Sequence, residues 1–205
     1  IADESVIYKA GYHIGKGCAD FKYHVNFASD VDVNNNADNP VINTRSFGED
    51  MHKVASYGAA FIKGMNDAGV YGSAKHFPGH GDTNVDSHKA LPTLDFSYDR
   101  LDSLELYPFK QLISQSVDMI MVAHLSVPAL DSTGTPTSIS KPVVTDLLKG
   151  KLGYKGIVIT DALNMKGVSE SLEKKMIALE AYKAGVDILL MPEDVSNSIT
   201  EIEKA

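Results

Sequence analysis

The chain has 205 residues, with 19 Lys and Arg against 27 Asp and Glu, and a formal net charge of −8. That length supports one domain with a sizeable core, and the acidic balance argues against nucleic acid or an anionic membrane as the main partner. No apolar run is long enough to cross a bilayer, and a lone cysteine, Cys18, excludes an internal disulfide while leaving the compartment open.

Val6, Ile7, Ala10, Ile14 and Cys18 recur at helical spacing and predict an opening helix to about Asp20. Residues 23–33 (YHVNFASDVDV) read as a strand with a loop after it, and Asn34 to Pro40 is a loop rich in turn formers. Glu49 to Ala68 has a helical pattern that stops at Gly69. Val70 to His76 is the next strand. Asp99 to Ser116 reads as one helix, with Asp102 to Glu105 resembling a capping signal near its start. Asp118 to Val127 is a buried strand, and Lys141 to Leu152 a short helix with Pro142 in its first turn. Gly156 to Thr160 is a strand, Leu172 to Ala184 a helix, Val186 to Met191 a strand, and a last helix begins at Ser196.

Strand is thus followed by helix five times, which implies an α/β fold with a parallel sheet covered by helices. Polar residues follow nearly every strand: Asp32, Lys75 with His76, His124, Asp161, and Glu193 with Asp194. Reactive groups after many different strands favour a (β/α)8 barrel, whose strand ends share one mouth, over a doubly wound sheet, which gathers them at a single switch point. Five units fall three short of a barrel, and the first residues already read as the middle of a helix. Residues 1–205 are therefore expected to be an incomplete catalytic barrel whose first strands lie elsewhere.

The densest chemistry is Lys75-His76-Phe77-Pro78-Gly79-His80-Gly81-Asp82-Thr83 with Asp86-Ser87-His88 just after it. A core has no use for so many ionisable groups in one place, because each is costly to bury without a partner. Asp86 and His88, two apart, point the same way if the segment is extended, and a carboxylate beside an imidazole makes a usable acid/base. A surface loop with two unrelated polar groups is the bland reading of that pair. Asp161, at the end of a buried strand, is either a helix N-cap or a reactive carboxylate. Lys75 and His76 can share a ligand only if the chain turns there; otherwise Lys75 forms a salt bridge inside the fold. Arg45 can hold a ligand oxygen or pair with Glu49 or Asp50. His124 sits in an apolar strand and reads as a satisfied core histidine. Met119, Met121, Met165 and Met191 read as core or apolar wall. No glycine-rich stretch matches a phosphate loop or a dinucleotide fingerprint, and no cofactor is expected.

The string from Ala74 to Thr83 with Asp86-Ser87-His88 resembles the signature of family 3 glycoside hydrolases of the β-N-acetylglucosaminidase branch. Asn39-Pro40-Val41-Ile42 with Arg45-Ser46-Phe47-Gly48 is similar to that family's substrate-arginine loop, and the segment from Ile159 to Met165 to its nucleophile segment. The resemblance implies a TIM-type barrel and a retaining double displacement. Asp161 would be the nucleophile and His88 the general acid/base, oriented by Asp86. Lys75, His76, Arg45 and Asp32 would hold the hydroxyls and the N-acetyl group of the sugar. The substrate would be an oligosaccharide or glycoside ending in N-acetylglucosamine, such as a cell-wall muropeptide, with no metal required. A histidine donor departs from the usual two-carboxylate arrangement. It adds no second negative charge beside the first, which also allows phosphate as acceptor and so a phosphorylase. A β-glucosidase or β-xylosidase of the same family is another reading, although those branches lack the D-x-H pair. A different class is a metal-dependent hydrolase using His76, His80, Asp82 and His88; Pro78 and Gly79 forbid the helix that would suit this H-x3-H spacing. A sugar-binding module without catalysis is the third.

Overall fold

The computed structural model describes residues 3–87, 89–171 and 173–205. In chain order it forms α1 (Glu4–Asp20), β1 (Val25–Asp30), α2 (Met51–Asp67), β2 (Tyr71–Phe77), α3 (Tyr98–Ser103), α4 (Tyr107–Ser114), β3 (Met119–Val122), β4 (Ile157–Thr160), α5 (Lys166–Ser169), α6 (Lys174–Ala184) and α7 (Val195–Glu203). A wide-turn helix over Pro142–Lys151 lies between β3 and β4. Asp50 caps α2 by accepting the N–H groups of His52 and Lys53, which explains why that helix starts where it does.

The four strands are all parallel and stand in the order β1-β2-β3-β4. A sheet whose spatial order simply follows the chain is the barrel arrangement; a doubly wound sheet reverses its order at a switch point. The fold is accordingly an incomplete (β/α)8 barrel. Its register sets Asp30 beside Lys75, Phe77 beside Val122, and Val122 beside Thr160. All four strands therefore discharge their next residues at one edge of the sheet.

The two faces of the sheet bury different things. Ala74, Ile120, Val122 and Val158 join the main core with Ile62 and Met65 of α2 and with Phe109 and Leu112 of α4. Phe77 meets Phe109 edge-to-face at 5.3 Å. Met119, Met121 and Ile159 point the other way and cluster with Val25, Phe27 and Leu190. That alternation is the pleat expressed along a strand buried on both sides. Met191 is a correction to the expected core set, since it is 58% exposed.

Three elements differ from their sequence patterns. The helix expected from Asp99 to Ser116 is two helices, α3 and α4, and the true cap is Ser97, which accepts the Arg100 N–H. Pro108 accounts for the break: it has no N–H to give Leu104, and its ring would collide with that carbonyl in a continuous helix. Within 118–127 the strand ends at Val122, with a single further bridge from Ser126 to Thr93, although residues 123–125 and 127 stay fully buried. Finally, Val186 to Met191 pairs with β4 only through the single bridge Ile159–Ile188. The Asp187 carboxylate takes the Val158 N–H at 2.8 Å, a donor that a neighbouring strand's carbonyl would otherwise accept.

Candidate active site

Asp32, two residues past β1, is the hub of the strand-end cluster. It is 1% exposed, and its carboxylate accepts the backbone N–H of His76 at 3.1 Å, that of His80 at 2.6 Å, and Nδ1–H of His76 at 2.6 Å. Burial pushes the Asp32 carboxyl up, while His80 and the backbone donors work against that rise. A His76 ring that donates from Nδ1 keeps Nε2 as an acceptor, and Nε2 stands 3.5 Å from Nη2 of Arg45. Burial also lowers the His76 pKa to about 4, so the ring is neutral near neutral pH.

Lys75 and His76 are both within β2, and the peptide bond between them is cis, as is that between Phe77 and Pro78. Both side chains reach the same cluster. Burial and the Arg45 charge lower the Lys75 pKa, and Asp30, Asp161 and Asp32 oppose that shift. Arg45 closes a short turn, Asn43–Arg45, and donates Nη1–H to the Val41 carbonyl at 3.2 Å. Its ionic partner is Asp30, with Nε 3.6 Å from Oδ2, rather than Glu49 or Asp50. Asp30 is the residue that sequence reading overlooked. The signal was present in Asp30-Val31-Asp32, where two carboxylates at alternate positions flank a strand end.

The loop after β2 is tightly built. Gly79 has φ +128°, and a Cβ there would lie 2.7 Å from Cβ of Glu105; a Cβ on Gly81 would lie 1.8 Å from the Val33 carbonyl oxygen. Only glycine fits at either point. His80 is buried, with Nδ1 2.7 Å from Oγ1 of Thr83 and Nε2 3.1 Å from Oγ of Ser87. Asn39 donates to the carbonyls of His80 and Gly81 at 2.8 and 3.0 Å. These contacts carry the chain to Asp86. His88, the expected acid/base, lies outside the described residues. The Ser87 carbonyl accepts the Gly167 N–H at 3.0 Å, which ties this loop to the segment just after Asp161.

Asp161 follows β4 at the same edge of the sheet. It caps no helix, because α5 begins at Lys166 with Met165 in the cap position. Its Oδ1 accepts the N–H of Ala162 at 2.8 Å. Burial works to raise its pKa, but His76, His124, that N–H and Lys75 outweigh burial and hold the carboxyl below its usual value. His124 is a satisfied core histidine, with Nδ1 2.6 Å from Ser138 Oγ and Nε2 donating to the Ala162 carbonyl at 2.9 Å.

The structure thus gathers Asp30, Asp32, Arg45, Lys75, His76 and Asp161 at one mouth. Among the described residues it does not bring together His76, His80 and Asp82 of the expected cation set, whose fourth member, His88, lies outside them. The ring nitrogens of His80 are engaged by hydroxyls, and Asp82 accepts from Asn35 at 2.9 Å and pairs with Arg100 at 3.4 Å. Among the described residues, the group close enough to share an ion is Asp30, Asp32 and His76, within 4.8 Å of one another. There the Nδ1–H of His76 and two backbone N–H groups already occupy Asp32, and the Arg45 guanidinium already sits against Asp30.

Residues 2–205 match the glycosyl hydrolase family 3 N terminal domain. The chain is 43% identical over 200 residues to beta-hexosaminidase A of Pseudoalteromonas piscicida, covering 92% of this chain and 33% of that protein. It is 39% identical over 173 residues to beta-hexosaminidase LpqI of Mycobacterium bovis, covering 81% of this chain and 44% of that one. The structure of a glycoside hydrolase family 3 beta-N-acetylglucosaminidase from Paenibacillus sp. superposes with a TM-score of 0.93 at 40% identity, over 98% of this chain and 38% of that one. The chain therefore spans roughly a third to a half of the length of these relatives.

Proposed function

Because the chain belongs to glycoside hydrolase family 3, we propose that its strand ends form the sugar site of a retaining exo-β-N-acetylglucosaminidase. The observation that carries this reading is the convergence of one low-pKa carboxylate, Asp161, with the donors Lys75 and Arg45 and the acceptor Nε2 of His76 at a single mouth. Asp161 is ionised at neutral pH and attacks the anomeric carbon. His88 gives its proton to the departing glycosidic oxygen, and Asp86 orients it. A glycosyl-enzyme ester forms and the aglycone leaves. Water then attacks the same carbon while His88 takes back a proton, and the Asp161 carboxylate is released with the anomeric configuration retained. Lys75 and Arg45 hold hydroxyl and acetamido oxygens. Asp32 acts on the sugar through His76, whose tautomer it sets. The natural substrates are glycosides ending in N-acetylglucosamine, of the kind found in cell-wall fragments.

The test uses the full-length natural polypeptide and an aryl β-N-acetylglucosaminide. Turnover is expected with the native protein and lost in Asp161→Ala. Full activity in that variant overturns the mechanism, and a preference for the aryl β-glucoside overturns the substrate class. Products analysed with and without phosphate are expected to be free N-acetylglucosamine in both; a sugar phosphate would make the protein a phosphorylase.

A further inference from the structure

Asp30 has no role in the mechanism above, yet it occupies an unusual position. It is the last residue of β1, 2% exposed, and set in register with Lys75. Oδ1 accepts the Asp32 N–H at 3.3 Å, whereas Oδ2 is buried without a hydrogen bond among the described residues. A buried carboxylate oxygen left unbonded is costly, and such a group calls for an explanation. Among the described residues, the cation in ion-pair contact with that oxygen is Arg45, at 3.6 Å. Arg45 has little else to fix it: a carbonyl at 3.2 Å, the edge of His76 at 3.5 Å, and a side chain that is 42% exposed.

We propose that Asp30 is a positioning residue, which holds the Arg45 guanidinium over the sugar site through its charge. This rests on the reading of the mouth as a sugar site, and names a residue that tunes it. The charged and titratable groups facing Asp30 are Asp32 on its own segment, Lys75 and His76 from β2, and Arg45 from the turn before α2. Burial, and then Asp32, raise the Asp30 pKa to about 7, while His76 and Arg45 resist that rise. Asp30 is therefore charged above neutrality and loses its hold on Arg45 as the pH falls. Affinity for a neutral sugar then weakens in acid, although the sugar itself does not titrate.

The experiment is calorimetric binding of N-acetylglucosamine to the full-length polypeptide between about pH 6 and pH 8, with KM and kcat for the aryl glycoside over the same range. The native protein is expected to bind about three- to fivefold more weakly at the acid end, the worth of a half-exposed ion pair. Asp30→Asn should bind at the weak level throughout, with kcat little changed and with a melting temperature equal to or above native. Arg45→Ala should also flatten the pH dependence, and Asp30→Asn added to it should change nothing further. A purely structural Asp30 would instead lower the melting temperature and leave the native pH dependence in place. If either single variant keeps that dependence, the inference is wrong even though the enzyme works. If the native protein neither binds nor cleaves, the sugar-site reading fails first and takes this inference with it.

Discussion

A single carboxylate, that of Asp32, organises the chain around His76 and His80. It binds two backbone N–H groups and one ring N–H, all buried. Asp32→Ala leaves those donors without an acceptor, and should cost about 1–3 kcal/mol in denaturant unfolding near neutral pH. It should also impair sugar binding through a misplaced His76. Asp30 behaves in the opposite way. Its carboxyl has a pKa near 7 in the fold against 3.8 as the ordinary value, so folding favours the protonated form. That contribution is fully present below about pH 4 and fades as the pH climbs through about 7. Thermal unfolding of the native protein should therefore lose stability over that window relative to Asp30→Asn; identical slopes for the two proteins would contradict the assignment. Lys75 and His76 stood together in the sequence because they are adjacent, whereas Asp32 and Arg45 were joined to them only through the resemblance to family 3. The sequence did not expose the Asp30–Arg45 pair, because fifteen residues and a loop separate the two and only folding decides which acid an arginine meets.

Loops and helices here obey steric rules that act over a few residues. Gly79 and Gly81, on either side of His80, stand where no side chain fits, and Gly81 lies against the Val33 backbone. Gly81→Ala should push the two chain segments apart, lower the melting temperature and slow turnover more than its loss of stability explains, since the displaced loop carries Asp86. Among packed elements, Phe109 of α4 is fully buried against Phe77 of β2. Phe109→Ala should cost about 3–5 kcal/mol in chemical denaturation, with the active-site geometry spared at temperatures where the variant stays folded. The division of α3 from α4 was readable at Pro108, where the missing N–H forbids one long helix. The failure of Val186 to Met191 to join the ladder was not readable, because it depends on the Asp187 side chain reaching Val158 across two elements.

Taken whole, the chain presents a parallel sheet whose strand order follows the sequence, with a polar edge that gathers the reactive groups. Several large apolar side chains stand in the open: Phe21 at 79%, Tyr23 at 65%, Met191 at 58%, and Val195 with Ile199 along α7 at 55% and 52%. Surfaces of this kind drive association. Expressed as these 205 residues alone, the protein should run above monomer size in size-exclusion chromatography and bind a hydrophobic dye, whereas the full-length polypeptide should do neither to the same degree. A dye-silent monomer would show that these side chains are tolerated in water.

The sequence by itself determined the class of fold and the alternation of strand and helix, because these are encoded in spacing along a few tens of residues, and its motifs carried the resemblance that pointed to the family and to the candidate site residues. Tertiary structure alone decided the rest. It buried the Asp32 carboxylate against the N–H groups that make it a hub, it chose Asp30 as the partner of Arg45, and it brought Asp161 to the mouth that Lys75 and His76 share. Those outcomes depend on which strand ends meet in space and how far water is removed from them, and neither quantity is written in the order of the residues.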